Sequence, residues 1–369
     1  MIHLAIRNIL RNKLRNLLTL LGVAAGMSVL IASVSVSENF KTQLDDIVDH
    51  TGAEIMIQSL RATTPMLSRI SREDMHRINE MEEIEEISST IMGLLQTSWA
   101  PYFLILGISS AEDLAGQVSI VEGRWFEPGE DALVLGYLGA KNLDYSIGNK
   151  IYLAEDTIFT ITGIFSLGYP MADGAAIIDI SVARKLLNRD DSVNMVLAGV
   201  SEGHDPYEVI DEINSAFPHL YAASGKDFVA EVRFFDSVDL FTWLLSMVSL
   251  ITCCLVVMNT LVMSVSERVK EIGILLAIGW SSFMIYRTIL YESMIICLAG
   301  SILGSAGAWT ALKLLQESRS LGVGLIPVSI SPTIVAGAMF LALFLGLVCS
   351  VYPAVMSLKM SPAKALRYE

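Results

Sequence analysis

The residues best placed to do chemistry lie between Ser266 and Tyr291, in the stretch SERVKEIGILLAIGWSSFMIYRTILY. Glu267, Arg268, Lys270, Glu271 and Arg287 crowd there between two strongly apolar segments. Alternating charges around a short apolar core suit recognition of a protein surface, not bond making. Ile272 to Trp280 is apolar but only nine residues long, whereas crossing a hydrocarbon core of about 30 Å takes roughly 20 residues. Ile272, Leu275, Leu276 and Ile278 form an incomplete helical stripe, and Gly273 and Gly279 bracket it. The spacing predicts a short helix at a membrane's inner face, with one apolar side for a groove. A loop helix packed on its own bundle fits the same periodicity.

The rest of the chain offers little covalent chemistry. It contains no G-x-x-x-x-G-K-[ST] phosphate loop, and Gly148-Asn149-Lys150 sits in a turn. His3, His50, His76, His204 and His219 are scattered without metal-ligand spacing. No G-x-S-x-G nucleophile motif occurs. Glu82, Glu83, Glu85 and Glu86 read as a solvated charge run. No catalytic, cofactor-binding or metal-ligating residue is therefore expected, and the chain by itself is not expected to be an enzyme.

The elements that would position the 266–291 stretch follow from hydropathy. Leu17–Val36, Leu240–Val265 and Ile330–Leu358 carry no charge, and Thr288–Leu312 carries one, Glu292. Each is long enough to span a bilayer as a helix, the conformation that satisfies the backbone in lipid. An ionisable group inside a span is a functional candidate by default, and Glu292 is one. It stands five residues from Arg287, so a structural or interfacial pairing is expected of it. Cys253, Cys254, Cys297 and Cys349 all fall inside these runs and read as packing residues.

Charge orients the chain. Residues 37–239 hold 34 acidic and 13 basic residues, so the rest of the chain is net basic. Arg7, Arg11, Lys13 and Arg15 precede the first run, and Lys359, Lys364 and Arg367 follow the last. The positive-inside rule places both termini in the cytoplasm. The expected order is a cytoplasmic amphipathic helix (1–16), a span (17–36), an extracytoplasmic domain with stalks (37–239), a span (240–265), a cytoplasmic segment (266–287), a span (288–312), an outer loop (313–329), a span (330–358) and a cytoplasmic tail (359–369). No basic cluster resembles a nucleic-acid footprint.

The extracytoplasmic block reads as α+β. Phe40, Leu44, Ile47 and Val48 continue the first helix outward, and Phe228, Val232 and Phe235 lead into the second, predicting two packed stalks. A strand at Ala53–Gln58, a helix capped by Ser71 and strands at Ile84–Trp99 and Tyr102–Ile108 make one unit. A strand at Val193–Val200, a helix capped by Asp205 and a strand at His219–Ala223 make another. Together they predict a split βαβ pattern. Residues 109–187 interrupt it as a β-rich insertion, expected to form a second, smaller subdomain.

This layout resembles the permeases of the MacB/FtsX/LolC type, the mechanotransmitting (type VII) ABC transporters. Three motifs carry the resemblance: Arg7-Asn8-Ile9 through Arg15-Asn16-Leu17-Leu18-Thr19-Leu20-Leu21-Gly22; Glu267-Arg268 with Glu271-Ile272-Gly273 and Ala277-Ile278-Gly279; and the ending Ser361-Pro362-Ala363-Lys364-Ala365-Leu366-Arg367-Tyr368-Glu369. The stretch from Val121-Glu122-Gly123-Arg124 to Gly163 is similar to the family's periplasmic core domain.

The resemblance implies a non-catalytic permease subunit in the cell membrane, paired with a second permease chain as a homo- or heterodimer. Two copies of a cytoplasmic ABC ATPase would carry ATP and magnesium, and this chain no cofactor. Glu267, Arg268, Lys270, Glu271, Ile272, Gly273, Leu275, Leu276, Ala277 and Gly279 would form the coupling helix in the ATPase groove. Polar contacts would surround an apolar plug of Ile272, Leu275 and Leu276, and the complex would export or extract a lipoprotein, peptide or other amphiphile. Two alternatives stand beside it: an FtsX-like scaffold whose extracytoplasmic protein partner is a hydrolase it activates, and an ATPase-independent membrane receptor.

Overall fold

The computed structural model describes residues 7–8, 11–51, 53–97, 99–100, 102–108, 118–154, 157–189, 191–225, 227–228, 233–317 and 329–358. The helices are α1 (Lys13–Thr51), α2 (Arg72–Asn79), α3 (Tyr137–Leu143), α4 (Pro170–Asp173), α5 (Ile180–Leu186), α6 (Pro206–Ala216), α7 (Arg233–Glu267), α8 (Val269–Ala277), α9 (Ser282–Glu317) and α10 (Pro332–Leu358). The strands are β1 (Ile55–Ser59), β2 (Ile70–Ser71), β3 (Ile84–Leu95), β4 (Phe103–Ile108), β5 (Ser119–Gly123), β6 (Ala132–Gly136), β7 (Lys150–Ala154), β8 (Thr157–Ser166), β9 (Ala176–Asp179), β10 (Ser192–Val193), β11 (Met195–Val200) and β12 (Leu220–Ser224). Two compact units emerge: Met1–Ser37, Leu240–Lys313 and Val328–Glu369 form one, Glu38–Asp239 and Leu314–Pro327 the other.

The first unit is helical. Among the described residues four helices are long and apolar enough to cross a membrane, at Lys13–Gln43, Asp236–Glu267, Ser282–Gln316 and Pro332–Met356. Their shared interior includes Val23, Met27, Ile31, Cys253, Val257, Leu261, Ala308 and Ala342, while Phe241, Trp243, Phe340 and Phe344 face outward. Lipid gives no hydrophobic drive for helices to associate, so small residues must let backbones approach. A side chain at Gly304 of α9 would lie 2.8 Å from the Ala24 carbonyl oxygen of α1, and one at Gly300 2.6 Å from Val23. Hydroxyls tie the seams: Thr19 to Thr260 at 2.6 Å and Ser293 to the Gly346 carbonyl at 2.8 Å. The four cysteines are free, and Cys254 and Cys349 bring their sulfurs to 3.1 Å.

The second unit is built on a ten-stranded mixed sheet with the order β12-β1-β11-β3-β4-β9-β6-β8-β5, β7 pairing with β8. In its first part β12, β1, β11 and β3 pair antiparallel. The two helices on this part start where their caps dictate. Ser71 accepts the Asp74 N–H at 3.1 Å, and Asp205 accepts the Tyr207 N–H at 3.0 Å ahead of Pro206 at the first helical position. The core holds Ile55, Ile57, Ile78, Ile105, Phe159, Ile161, Ile178 and Phe217.

The insertion does not stand apart as a second subdomain. Its strand β9, with all four residues buried, pairs parallel with β4, Ile105 opposite Ala176, and antiparallel with β6. Edge strands of two separate sheets would leave backbone groups unpaired, and joining them removes that cost. The helices α3 and α4 and the strands β5 and β9 lay outside the sequence reading. On the stalks, Phe40 packs against a cluster that includes the buried Phe228, and Lys41 Nζ meets Asp239 Oδ2 at 2.5 Å. The side chains of Leu44, Ile47 and Phe235, and all of Val232, lie outside the described residues.

Two outcomes follow. Replacing Gly304 by Leu should destabilise the helical unit by about 1–3 kcal/mol through overpacking. Gly337→Ala, inside α10 at a site with nothing within 4 Å among the described residues, should not lower the thermal midpoint in detergent, because alanine favours a helix interior over glycine. The turn after β5 offers the second test. Arg124 makes two hydrogen bonds to Glu130, at 3.0 and 3.2 Å, and the Glu127 N–H adds one at 2.8 Å. Arg124, then that N–H, hold the Glu130 carboxyl below its ordinary value. Its stabilisation is thus present above the ordinary carboxylate range and disappears as pH falls through the folded-state value. An acid titration of unfolding should show a shallower slope in Glu130→Gln.

Candidate functional site

The 266–287 segment folds as one short helix between two long ones. Only Arg268 separates the end of α7 from α8. Glu271 in the first turn of α8 suits the positive end of the helix dipole. The other end is closed by a Schellman arrangement: the Trp280 N–H bonds the Leu275 carbonyl at 3.0 Å, and the Gly279 N–H the Leu276 carbonyl at 3.1 Å. Gly279 adopts φ +102, a conformation that glycine takes without strain. The glycine in Ala277-Ile278-Gly279 therefore has a backbone reason.

Charges tie this helix to the start of the chain. Arg11 meets Glu271 at 2.5 Å, Arg15 meets Glu267 at 2.7 Å, and Asn12 donates to Glu267 at 2.8 Å. The Arg11 guanidinium holds the Glu271 carboxyl below the ordinary range. Arg268 lies between two carboxylates, with Nε 3.6 Å from Glu271 and Nη1 3.5 Å from Glu292. Sequence reading placed Arg11 and Arg15 in a cytoplasmic amphipathic helix and a family motif without pairing them to this segment, and gave Asn8, Asn12 and Ser264 no role in the site. A signal was present: outside residues 37–239 the acids are only Glu267, Glu271, Glu292, Glu317 and Glu369, against a run of bases near the N-terminus.

Two expectations are corrected. Arg287 is not the partner of Glu292. Five residues on a helix turn the side chain by about 140° away, and Arg287 instead donates to the Tyr291 hydroxyl at 3.0 Å and lies over the Phe283 and Tyr291 rings. Glu292 faces inward, with Ser264 Oγ 3.4 Å away. The apolar plug also faces differently. Ile272 is 6% exposed and packs into the helical core, Leu276 packs against that core, and Leu275 lines a cavity with Trp280. The outward apolar residues are Ile274 at 47% and Ile278 at 73%. A helix anchored by its own apolar side leaves only the opposite side for another surface. Gly273 is buried, while Lys270, Ala277 and Gly279 are exposed. The terminal Ser361–Glu369 motif lies outside the described residues. Among the described residues no group of His, Cys, Asp or Glu could hold a metal ion.

Four apolar helices joined to a mixed-sheet domain define a multi-pass membrane protein. Residues 16–216 match the model of the MacB-like periplasmic core domain, and residues 243–362 that of the FtsX-like permease C-terminal. The chain belongs to this family of ABC transporter permeases. It is 23% identical to an uncharacterized ABC transporter permease, MJ1507, of Methanocaldococcus jannaschii, over 100% of this chain and 98% of that one. It is 25% identical to the pyoverdine export ATP-binding/permease protein PvdT of Pseudomonas putida, over 97% of this chain. It is 24% identical to the macrolide export ATP-binding/permease protein MacB of Bdellovibrio bacteriovorus, over 100% of this chain. The chain spans 58% of the length of that PvdT and 61% of that MacB.

The cap geometry gives a direct test. Gly279→Ala should cost about 1 kcal/mol, because a side chain disfavours positive φ there. Since nothing among the described residues lies within 4 Å of a Cβ at this position, Gly279→Asn should cost less. The readout is the difference in thermal midpoint between the two variants.

Proposed function

We propose that this chain is the membrane subunit of an ABC transporter complex and transmits ATP-driven motion from a separate cytoplasmic ATPase to its extracytoplasmic domain. The observation that carries the reading is α8, a capped helix tied by ion pairs to the N-terminal segment and by Ile272 to the helical core, yet presenting Ile274 and Ile278 outward. Such a helix can transmit a push because its inner side is already committed. The permease name of a relative supports the membrane-subunit reading, and the export names of PvdT and MacB support outward transport.

In this reading the chain has one membrane helix ahead of a split-βαβ extracytoplasmic domain and three after it. Both termini lie in the cytoplasm, and the membrane is the cytoplasmic one. Two permease chains pair and bind two ATPase copies, which hold ATP and magnesium. Closure of the ATPase pair pushes α8, the helices tilt, and the stalks move the outer domains. The cargo is a lipoprotein, peptide or other amphiphile, handled on the outer side and not through a pore. The net basic charge outside residues 37–239 supports the orientation.

The test is detergent co-purification with the ATPase encoded nearest to this chain. Wild type should retain it. Ile274→Asp and Ile278→Asp should reduce retention at least about tenfold, since a carboxylate buried in an apolar contact costs several kcal/mol. Both positions are exposed in the free chain, so these variants should fold. Equal retention by wild type and both variants contradicts the reading.

A further inference from the structure

Glu292 demands an explanation that its membrane helix does not supply. It is 3% exposed in α9, and a carboxylate in such a place is costly unless well paired. Its pairing is incomplete. Ser264 Oγ stands 3.4 Å away and Arg268 Nη1 3.5 Å, whereas a fully formed guanidinium–carboxylate bond is about 2.7–2.9 Å long. Arg268 is equally uncommitted at Nε, which is 3.6 Å from Glu271 and makes no hydrogen bond among the described residues.

The surroundings leave room for movement. A cavity of about 110 Å³ lies at this spot, and Asn8, Ser264, Arg268, Leu275, Trp280 and Glu292 are among its walls. The Asn8 side-chain nitrogen is buried and has no hydrogen-bond partner among the described residues. Protein interiors are normally close-packed, so α8 rests here on a partly empty, mostly apolar space into whose wall Asn8, Ser264, Arg268 and Glu292 are set. Arg268 is also the residue from which α8 starts. Whatever holds its guanidinium holds the root of the helix.

We infer that Glu292 is a positioning residue for α8: it pulls Arg268 inward and so sets how α8 sits over the cavity, with Glu271 as the alternate partner when α8 shifts. The inference rests on the reading of α8 as the coupling element, and gives it a seat and a direction of travel. Glu292 attracts Arg268 from a low-dielectric site, where the attraction is stronger than at the surface. Glu271 offers a second carboxylate on α8 itself. Because neither contact is fully formed, exchanging one for the other breaks no complete bond. Motion of α8 into or out of the cavity is then coupled to which carboxylate holds Arg268.

The experiment uses the full chain in membrane vesicles and measures labelling by a water-soluble maleimide. Leu275→Cys reports the cavity wall, Ile278→Cys the exposed face, and the chain with only its native cysteines the background. Adding Glu292→Gln should raise labelling at Leu275→Cys at least about tenfold, the scale expected when a buried charge loses its partner, and should leave Ile278→Cys unchanged. Glu292→Asp should fall between. Combining Arg268→Glu with Glu292→Arg should bring labelling back toward wild type, a rescue that simple loss of packing would not give. Unchanged labelling at Leu275→Cys in both Glu292 variants, or a charge-exchanged pair no better than Glu292→Gln alone, overturns the inference. Labelling needs no ATPase, so equal retention of the ATPase by wild type, Ile274→Asp and Ile278→Asp, or failure of wild type to retain it, would count against the coupling reading and leave this result standing.

Discussion

The pairing of Glu267 and Glu271 with Arg15 and Arg11 is the interaction on which the candidate site depends. These residues are about 250 positions apart in sequence, and each pair is partly exposed. Single surface pairs of this kind contribute little. Here they act together with Asn12, Arg268 and the apolar seat of Ile272, and their shared effect is directional. They decide that α8 turns Ile272 inward and Ile274 and Ile278 outward. A short helix of nine residues would be marginal in water by itself, and tertiary contact gives it both its stability and its orientation.

The helical unit shows how little room such a bundle has. Glycines at 300 and 304 let α9 touch the backbone of α1, and hydroxyls close the remaining seams. Against this tight packing the cavity beside Arg268 and Glu292 stands out. Dense contact in the bundle and loose contact under α8 together suit an element that moves against a firm support. The sheet unit follows another rule. Its insertion gains by extending an existing sheet through β9, since a separate sheet would expose more unpaired strand edge.

Much of this was legible from residue order. The four long apolar runs are helices, because lipid-length apolar stretches have few other options. Ser71 and Asp205 marked helix starts through their side-chain caps. Other features were hidden for physical reasons. The strand Ala176–Asp179 is four buried residues without alternation, and its parallel pairing with β4 depends on chain crossing that periodicity does not record. The direction of Ile272 was misjudged because an incomplete stripe fits two faces, and only the distant basic segment selects one. Glu292 was noticed as an ion in an apolar run. Its partner was misassigned, because Arg268 lies at the junction of two other helices whereas Arg287 is near only in sequence.

Amide hydrogen exchange along residues 269–278, measured on the full chain in detergent with and without the neighbouring ATPase, tests the central claim most directly. The account predicts slower exchange in α8 on adding the ATPase, with no comparable change in Pro206–Ala216 of the sheet unit. Exchange in α8 that is indifferent to the ATPase would mean that its outward face, Ile274 and Ile278, is not where the two proteins meet.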